Sequence, residues 1–256
     1  MRQLFAPAAL ALVLMMPIPS PAQEQSRPSL SDMTEVEREA FRIEVRAYLL
    51  EHPEVLTEAI QVLKNRDALA EKSADLALIS AHREQLLDGT NAWVAGNPDG
   101  DVTLVEFSDY RCSYCKRAHP ELKELLLRDP NIRLVLREFP ILGPDSVLAA
   151  RVATAALDLD PAKFGAFNDA LMSFDGDLTE IAVYKLAGLS GYEIDALKER
   201  AASAEVEARI ADNYSLARSL GLEGTPSFVL GNQIIRGYLP VESMLAAVAE
   251  ARAAMN

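Results

Sequence analysis

Cys112 and Cys115 are the only cysteines of the chain and stand three apart in Arg111-Cys112-Ser113-Tyr114-Cys115-Lys116, directly after the apolar run Val102-Thr103-Leu104-Val105-Glu106-Phe107. A strand that ends where a helix begins sets Cys112 at the helix N-terminus, where unsatisfied backbone N–H groups and the helix dipole stabilise a thiolate. Cys115, one turn further along, is within reach of a mixed disulfide on Cys112 and can release the bound partner. The spacing predicts thiol–disulfide exchange, with Cys112 as nucleophile and Cys115 as resolving thiol. A Cys112–Cys115 disulfide closes almost no loop and adds little stability, which separates the pair from a structural staple.

Three further positions bear on that chemistry. Glu106 sits six residues before Cys112 in a strand whose other members are mostly apolar, so its carboxyl is expected in a poorly solvated space. Burial raises its pKa and lets it trade a proton with Cys115 through a water; the alternative is a solvent-facing acid on an edge strand. Thr225-Pro226 precedes a hairpin, where a proline without an N–H belongs at a bend. The residues by themselves favour a trans bond there. His119 shares a helical face with Cys112 and Cys115 at i, i+3 and i+7, and soft thiolates suit Cu(I), so copper binding by Cys112, Cys115 and His119 is the competing chemistry. His52 and His82 are expected to face solvent. Neither a phosphate-binding glycine loop nor a Ser-His-Asp pattern is present, and no cofactor is expected.

Stepping outward, the elements that must hold these residues can be placed. Thr34-Glu35-Val36-Glu37 fits a capping box that opens a helix ending before Pro53, with Phe41, Val45, Tyr48 and Leu49 at helical spacing. A second helix from Pro53 runs toward Leu87 and stops at Gly89. A short strand is expected near 92–95, then the strand at 102–107, a helix to about Arg128, and a strand at 132–137, an order that predicts parallel pairing. From Asp145 to about Leu220 the pattern is helical, broken at Asp160-Pro161 and at Gly188 to Gly191. Ser227-Phe228-Val229-Leu230 and Gln233-Ile234-Ile235-Arg236, joined by Gly231-Asn232, form a hairpin, and 241–254 closes as a helix. Trp93 is expected to pack on the first strand of this region.

The 256 residues have a net charge of −13, which excludes a nucleic-acid partner that needs clustered Lys and Arg. Arg2, the apolar stretch from Leu4 to Ile18 and Ser20-Pro21-Ala22 read as a secretory signal peptide cleaved after Ala22, and export implies an oxidising compartment. The expected organisation is a signal at 1–22, a helical arm at 23–88, and a globular domain at 89–256 with a helical insertion at about 145–220.

Taken together these motifs resemble the thioredoxin superfamily and, within it, the DsbA-like exported oxidoreductases, with ScsC-like features. Glu106 falls on the family's buried acid, Cys112 and Cys115 on the redox-active disulfide pair, and Pro120 on the proline of the active-site helix. Thr225-Pro226 falls on the cis-proline loop, and Gly237 on the glycine after the last strand. Glu138-Phe139-Pro140-Ile141-Leu142-Gly143-Pro144-Asp145-Ser146 and the arm stretch from Tyr48 to Leu56 are similar to ScsC-like members. The resemblance implies an α/β thioredoxin fold with a DsbA-type helical insertion and an N-terminal helical oligomerisation arm. It implies catalysis by Cys112, Cys115, Glu106, Thr225 and Pro226, client contact through Ser113, Tyr114 and Thr225, and no cofactor. It further implies a periplasmic enzyme acting on unfolded or misoxidised exported proteins, a membrane redox partner of the DsbB or DsbD/ScsB kind, and a homo-oligomer formed through the arm. Ser113-Tyr114 replaces the Pro-His of strongly oxidising DsbA enzymes, and Thr225 resembles isomerase loops. Both place the couple between about −120 and −270 mV, nearer isomerases and reductases than strong oxidases.

Overall fold

The capping box at Thr34 forms: its hydroxyl accepts from the Glu37 N–H at 3.4 Å, while the Glu37 carboxylate accepts from the Thr34 N–H at 2.8 Å. This fixes the start of α1 (Glu35–Glu51), which is followed by α2 (Glu54–Ala81) and α3 (Arg83–Leu87). The computed structural model describes residues 33–90 and 92–254, so the signal expected at 1–22 lies outside the described residues. The chain divides into two compact units, up to Val62 and from Leu63 onward. In the first unit α1 buries none of its residues, and Phe41, Ile43, Tyr48, Leu50 and Ile60 all stay exposed.

The second unit takes in the rest of α2. There Ile79, with Leu86 of α3, enters a core cluster with Phe107, Val135, Leu216 and Val229. Asp75, buried on the same helix, receives two hydrogen bonds from the Arg236 guanidinium at 2.8 and 3.0 Å. The helix expected to run unbroken to Leu87 jogs at His82, whose N–H is shared between the carbonyls of Leu78 and Ile79. The jog restarts the ladder one residue later and leaves Leu86 almost fully buried.

β1 (Trp93–Gly96), β2 (Val102–Ser108), α4 (Ser113–Arg128) and β3 (Ile132–Glu138) follow. Then come α5 (Pro144–Leu159), α6 (Pro161–Ser173), α7 (Glu180–Leu189), α8 (Ile194–Ala201) and α9 (Ala204–Ser219). β4 (Ser227–Leu230), β5 (Gln233–Arg236) and α10 (Val241–Ala253) complete the chain. The sheet order is β1-β3-β2-β4-β5, with β2 and β3 parallel and the other pairs antiparallel. The helical stretch contains two interruptions beyond the two expected, at 174–179, where Thr179 caps α7 by accepting from the Ala182 N–H, and at 202–203, where Ser203 caps α9 by accepting from the Val206 N–H. The first strand lies one residue later than expected.

This is an α/β thioredoxin-like fold with a helical insertion and N-terminal helices. β2 is its interior strand, with Glu106 paired to Leu136 on one side and to Phe228 on the other. That position removes the edge-strand alternative for Glu106. α4, which starts just beyond the C-terminal end of β2 and carries the thiols, packs against α6 and α10.

Candidate active site

β2 ends at Ser108 and α4 begins at Ser113, so only four residues turn the chain, and Cys112 becomes the N-cap of a 16-residue helix. Asp109 holds this turn from within. Its Oδ1 accepts from the Arg111 N–H at 2.8 Å, its Oδ2 from the Leu142 N–H at 3.0 Å, and its carbonyl from the Cys112 N–H at 3.0 Å. One buried carboxylate thereby ties the cysteine turn to the loop after β3. Pro120 stands inside α4 and deprives the Lys116 carbonyl of its helical donor.

Cys112 and Cys115 are free thiols here; Cys112 is 7% exposed and Cys115 is fully buried. The Thr225–Pro226 peptide bond is cis, against the trans expectation from the residues alone and in agreement with the resemblance. It turns the Thr225 carbonyl toward Cys112, whose Sγ donates to it at 3.1 Å. That carbonyl favours the protonated thiol, but the donors on the other side outweigh it. The Cys115 thiol, the Thr225 side chain and the backbone N–H groups of Cys115 and Tyr114 stabilise the anion, and they lower the Cys112 pKa to about 5 against the opposing effect of burial. Cys115 moves in the other direction: burial, its bond to Cys112 and the nearby Glu106 charge push its thiol well above the ordinary range. The two sulfurs are thus split into a ready nucleophile and a thiol that needs a base.

Glu106 is the base within reach. It is buried, and burial raises its pKa to about 7 against the opposing pull of the Ser108 hydroxyl, with a smaller upward contribution from the Cys112 charge. Ser108 also acts on Cys115, and its buried Oγ closes no hydrogen bond among the described residues, so a polar atom stands between acid and thiol. Glu106 also lines a cavity of about 170 Å³ with Trp93, His119, Leu136, Asn168 and Asp169. A second buried acid, Glu138 at the end of β3, accepts from the Tyr110 hydroxyl at 2.8 Å, and burial holds its pKa well above the usual carboxylate range.

The structure brings Cys112, Cys115, Glu106, Thr225 and Pro226 together, with Ser113 and Tyr114 exposed at the rim. His119 is not with them. Its Nε2 donates to Asp169 Oδ1 at 2.7 Å, and among the described residues no three His, Cys, Asp or Glu side chains converge as metal ligands would. Sharing a helical face was not enough, because seven residues on means about 10 Å along the axis. His52 and His82 are partly exposed and meet Glu54 and Gln85. Trp93 packs against Phe164 with ring centres 5.2 Å apart. Asp109, Ser108 and the Tyr110–Glu138 pair went unnoticed in the sequence; the available signal was a run of polar residues at the end of an otherwise apolar strand.

Comparison with known proteins bears on this geometry. Residues 88–250 match the family described as Thioredoxin, and residues 37–70 match the Copper resistance protein ScsC N-terminal domain. The crystal structure of a thioredoxin-like oxidoreductase from Silicibacter pomeroyi DSS-3 is 44% identical, covers 67% of this chain and 98% of its own, and superposes with a TM-score of 0.64. Proteus mirabilis ScsC in a transitional conformation is 26% identical with a TM-score of 0.64, over 88% of this chain and 100% of its own. The thiol-disulfide exchange protein alpha-DsbA2 from Wolbachia pipientis is 28% identical with a TM-score of 0.67, over 71% of this chain and 97% of its own. The chain spans only 24% of the length of the Na(+)/H(+) antiporter NhaA 1 of Salinispora arenicola, which it matches at 32% identity over 160 residues, 62% of this chain.

Proposed function

We propose, for a chain that belongs to the thioredoxin family as a thiol–disulfide oxidoreductase of DsbA and ScsC type, that it works in the periplasm on exported proteins as an isomerase or reductase and not as a strong oxidase. The carrying observation is the moderate depression of the Cys112 pKa to about 5, with no imidazole between the thiols. In the exchange, the Cys112 thiolate attacks a client disulfide, one Cys112–client S–S bond forms, and the other client sulfur leaves as a thiolate. Cys115 then gives its proton to the Glu106 carboxylate and attacks Cys112, and the client leaves with the electron pair of the broken bond. The Cys112–Cys115 pair is left oxidised and the client reduced; in isomerisation the departed client thiolate makes the second attack instead. Thr225 and Pro226 hold the client backbone beside Cys112 in this reading, and Ser113 and Tyr114 border it.

The Cys112 pKa orders the potential. A thiolate stabilises the reduced form, so each pH unit of lowered pKa below the working pH raises the potential by about 30 mV. A Cys112 pKa between that of thioredoxin (about 7, about −270 mV) and that of DsbA (about 3.5, about −120 mV) places the couple between those two potentials. That interval contains the protein disulfide isomerase value of about −180 mV. Equilibration with glutathione buffers tests it: the potential should fall by about 60 mV per pH unit below pH 5 and by about 30 mV per unit above it, as the protons taken up change from two to one. A value near −120 mV would make the protein an oxidase.

The arm supports assembly. An α1 with no buried residue, with exposed Phe41, Val45 and Tyr48 on one face and Ile43 and Leu50 on the opposite one, needs a second apolar surface, and another copy of this chain supplies one. Because Ile79 and Leu86 belong to the core of the second unit, the informative truncation removes residues 23–62 and not 23–88. Sedimentation of the mature protein should show an oligomer that the truncated form loses; an unchanged particle mass would end the proposal. The read signal at 1–22 supports export, and a membrane protein of the DsbB or DsbD/ScsB kind is the proposed electron partner. Cu(I) binding keeps only the two thiols as ligands, since His119 is committed to Asp169.

A further inference from the structure

The chain carries 38 acidic against 25 basic residues, yet the exposed charges flanking the thiols on α4 and its turn, Arg111 and Arg117, reverse that sign. Lys116, between them in sequence, is part-buried and spends its ammonium on the Phe174 carbonyl at 2.5 Å, and Arg111 donates to the Leu142 carbonyl at 2.7 Å. Arg117 is differently placed. Its guanidinium carbon lies 5.4 Å from the centre of the Tyr238 ring, and that ring is 6.5 Å from the ring of Tyr114, the exposed residue between the two cysteines. The three side chains form one row leading from the thiol rim, Tyr114, to a cation.

The row is held in place from behind. Glu121, one turn beyond Arg117, accepts from the Tyr238 hydroxyl at 2.9 Å and from the Val241 N–H at 2.9 Å, so its oxygens serve the ring and the start of α10. Among the described residues Arg117 makes no ion pair within 4.0 Å. An arginine stacked on a tyrosine keeps its in-plane N–H fork free, and that fork matches a carboxylate. Tyrosine and arginine, with tryptophan, are also the residues enriched among the few that carry most of the binding energy of an interface.

We propose that Tyr114, Tyr238 and Arg117 form a specificity subsite for client segments that carry an acidic side chain close to the reacting cysteine. The two rings cover the stem of that side chain, and Arg117 receives its carboxylate. This rests on the reading of Cys112 as the nucleophile toward clients. Acidic segments approaching a chain of net charge −13 are repelled at long range, over about 10 Å at 0.1 M salt, so the preference is set at contact and works against that repulsion.

Two symmetric peptide disulfides, identical except for Asp or Lys beside the cysteine, test this against the reduced full-length protein at low and high salt. Flanking charge alters the peptide sulfurs themselves, so the reference is the Asp-to-Lys rate ratio that dithiothreitol gives for the same pair. The protein's ratio should exceed that reference by up to about fivefold, the scale of one favourable exposed charge contact. The excess should vanish in Arg117→Gln at both salt concentrations. A wild-type ratio equal to the dithiothreitol reference, or an excess retained in Arg117→Gln, overturns the subsite. A protein that reduces neither peptide fails the underlying reading of Cys112 instead, which is a separate result.

Discussion

At pH 5 the Cys112 thiol is expected to react with a small disulfide probe about fortyfold faster than an ordinary peptide thiol, and at pH 7 the two should react at about the same rate. A pKa of about 5 leaves half of Cys112 ionised at pH 5, against about 0.03% of a thiol with pKa 8.5, a ratio of roughly 1,600. The stabilised anion is also a weaker nucleophile, by about 40-fold over that pKa difference at a Brønsted slope of 0.4–0.5. At pH 7 the ionisation advantage is only about 30-fold, and the nucleophilicity loss cancels it. The signature is therefore a rate that stays flat from pH 6 to 8 while the peptide rate climbs tenfold per unit. Cys112→Ser should abolish both the labelling and the reduction of insulin, because Cys115 is fully buried and its thiol is pushed upward. A Cys112 rate that tracks the peptide across pH would remove the basis for the exchange reaction.

What the sequence could disclose was whatever depends on near neighbours. The Thr34–Glu37 box, the Gly231-Asn232 hairpin and the helix start at Cys112 each follow from residues within a few positions of one another, and each forms. The burial of Glu106 follows from its apolar neighbours once β2 is interior, but the strand order that makes it interior is a property of the whole chain. Contacts between distant positions were illegible for the same reason. His119 is claimed by Asp169 fifty residues away, and Asp109 reaches Leu142. The jog at His82 exists to bury Leu86 against the sheet, which no local pattern announces. The cis bond at Thr225–Pro226 came from family likeness, since the residues themselves pointed to trans.

Glu106→Gln should slow the Cys115 step and at the same time stabilise the fold, and the two effects share one cause. Burial raises the carboxyl pKa from an ordinary 4.5 to about 7, so between those values the folded protein holds a proton that the unfolded chain has released. Stability contributed by this group is then lost as pH rises through the window, because the native state binds more protons than the unfolded state. At 1.36 kcal/mol per pH unit the loss reaches about 3 kcal/mol by pH 8. A neutral amide does not titrate, so the variant should match wild type in urea midpoint near pH 4 and exceed it by up to about 3 kcal/mol at pH 8. Resolution of a Cys112 mixed disulfide by Cys115, followed in single turnover, should slow by about a hundredfold, the lower range for a positioned base, and lose its inflection near pH 7. A variant equally stable at both pH values would mean that the carboxyl is solvated. A variant that resolves as fast as wild type would mean that Cys115 finds another base. The burial that costs the fold stability at neutral pH is what keeps Glu106 half-protonated where the buried thiol must give up its proton.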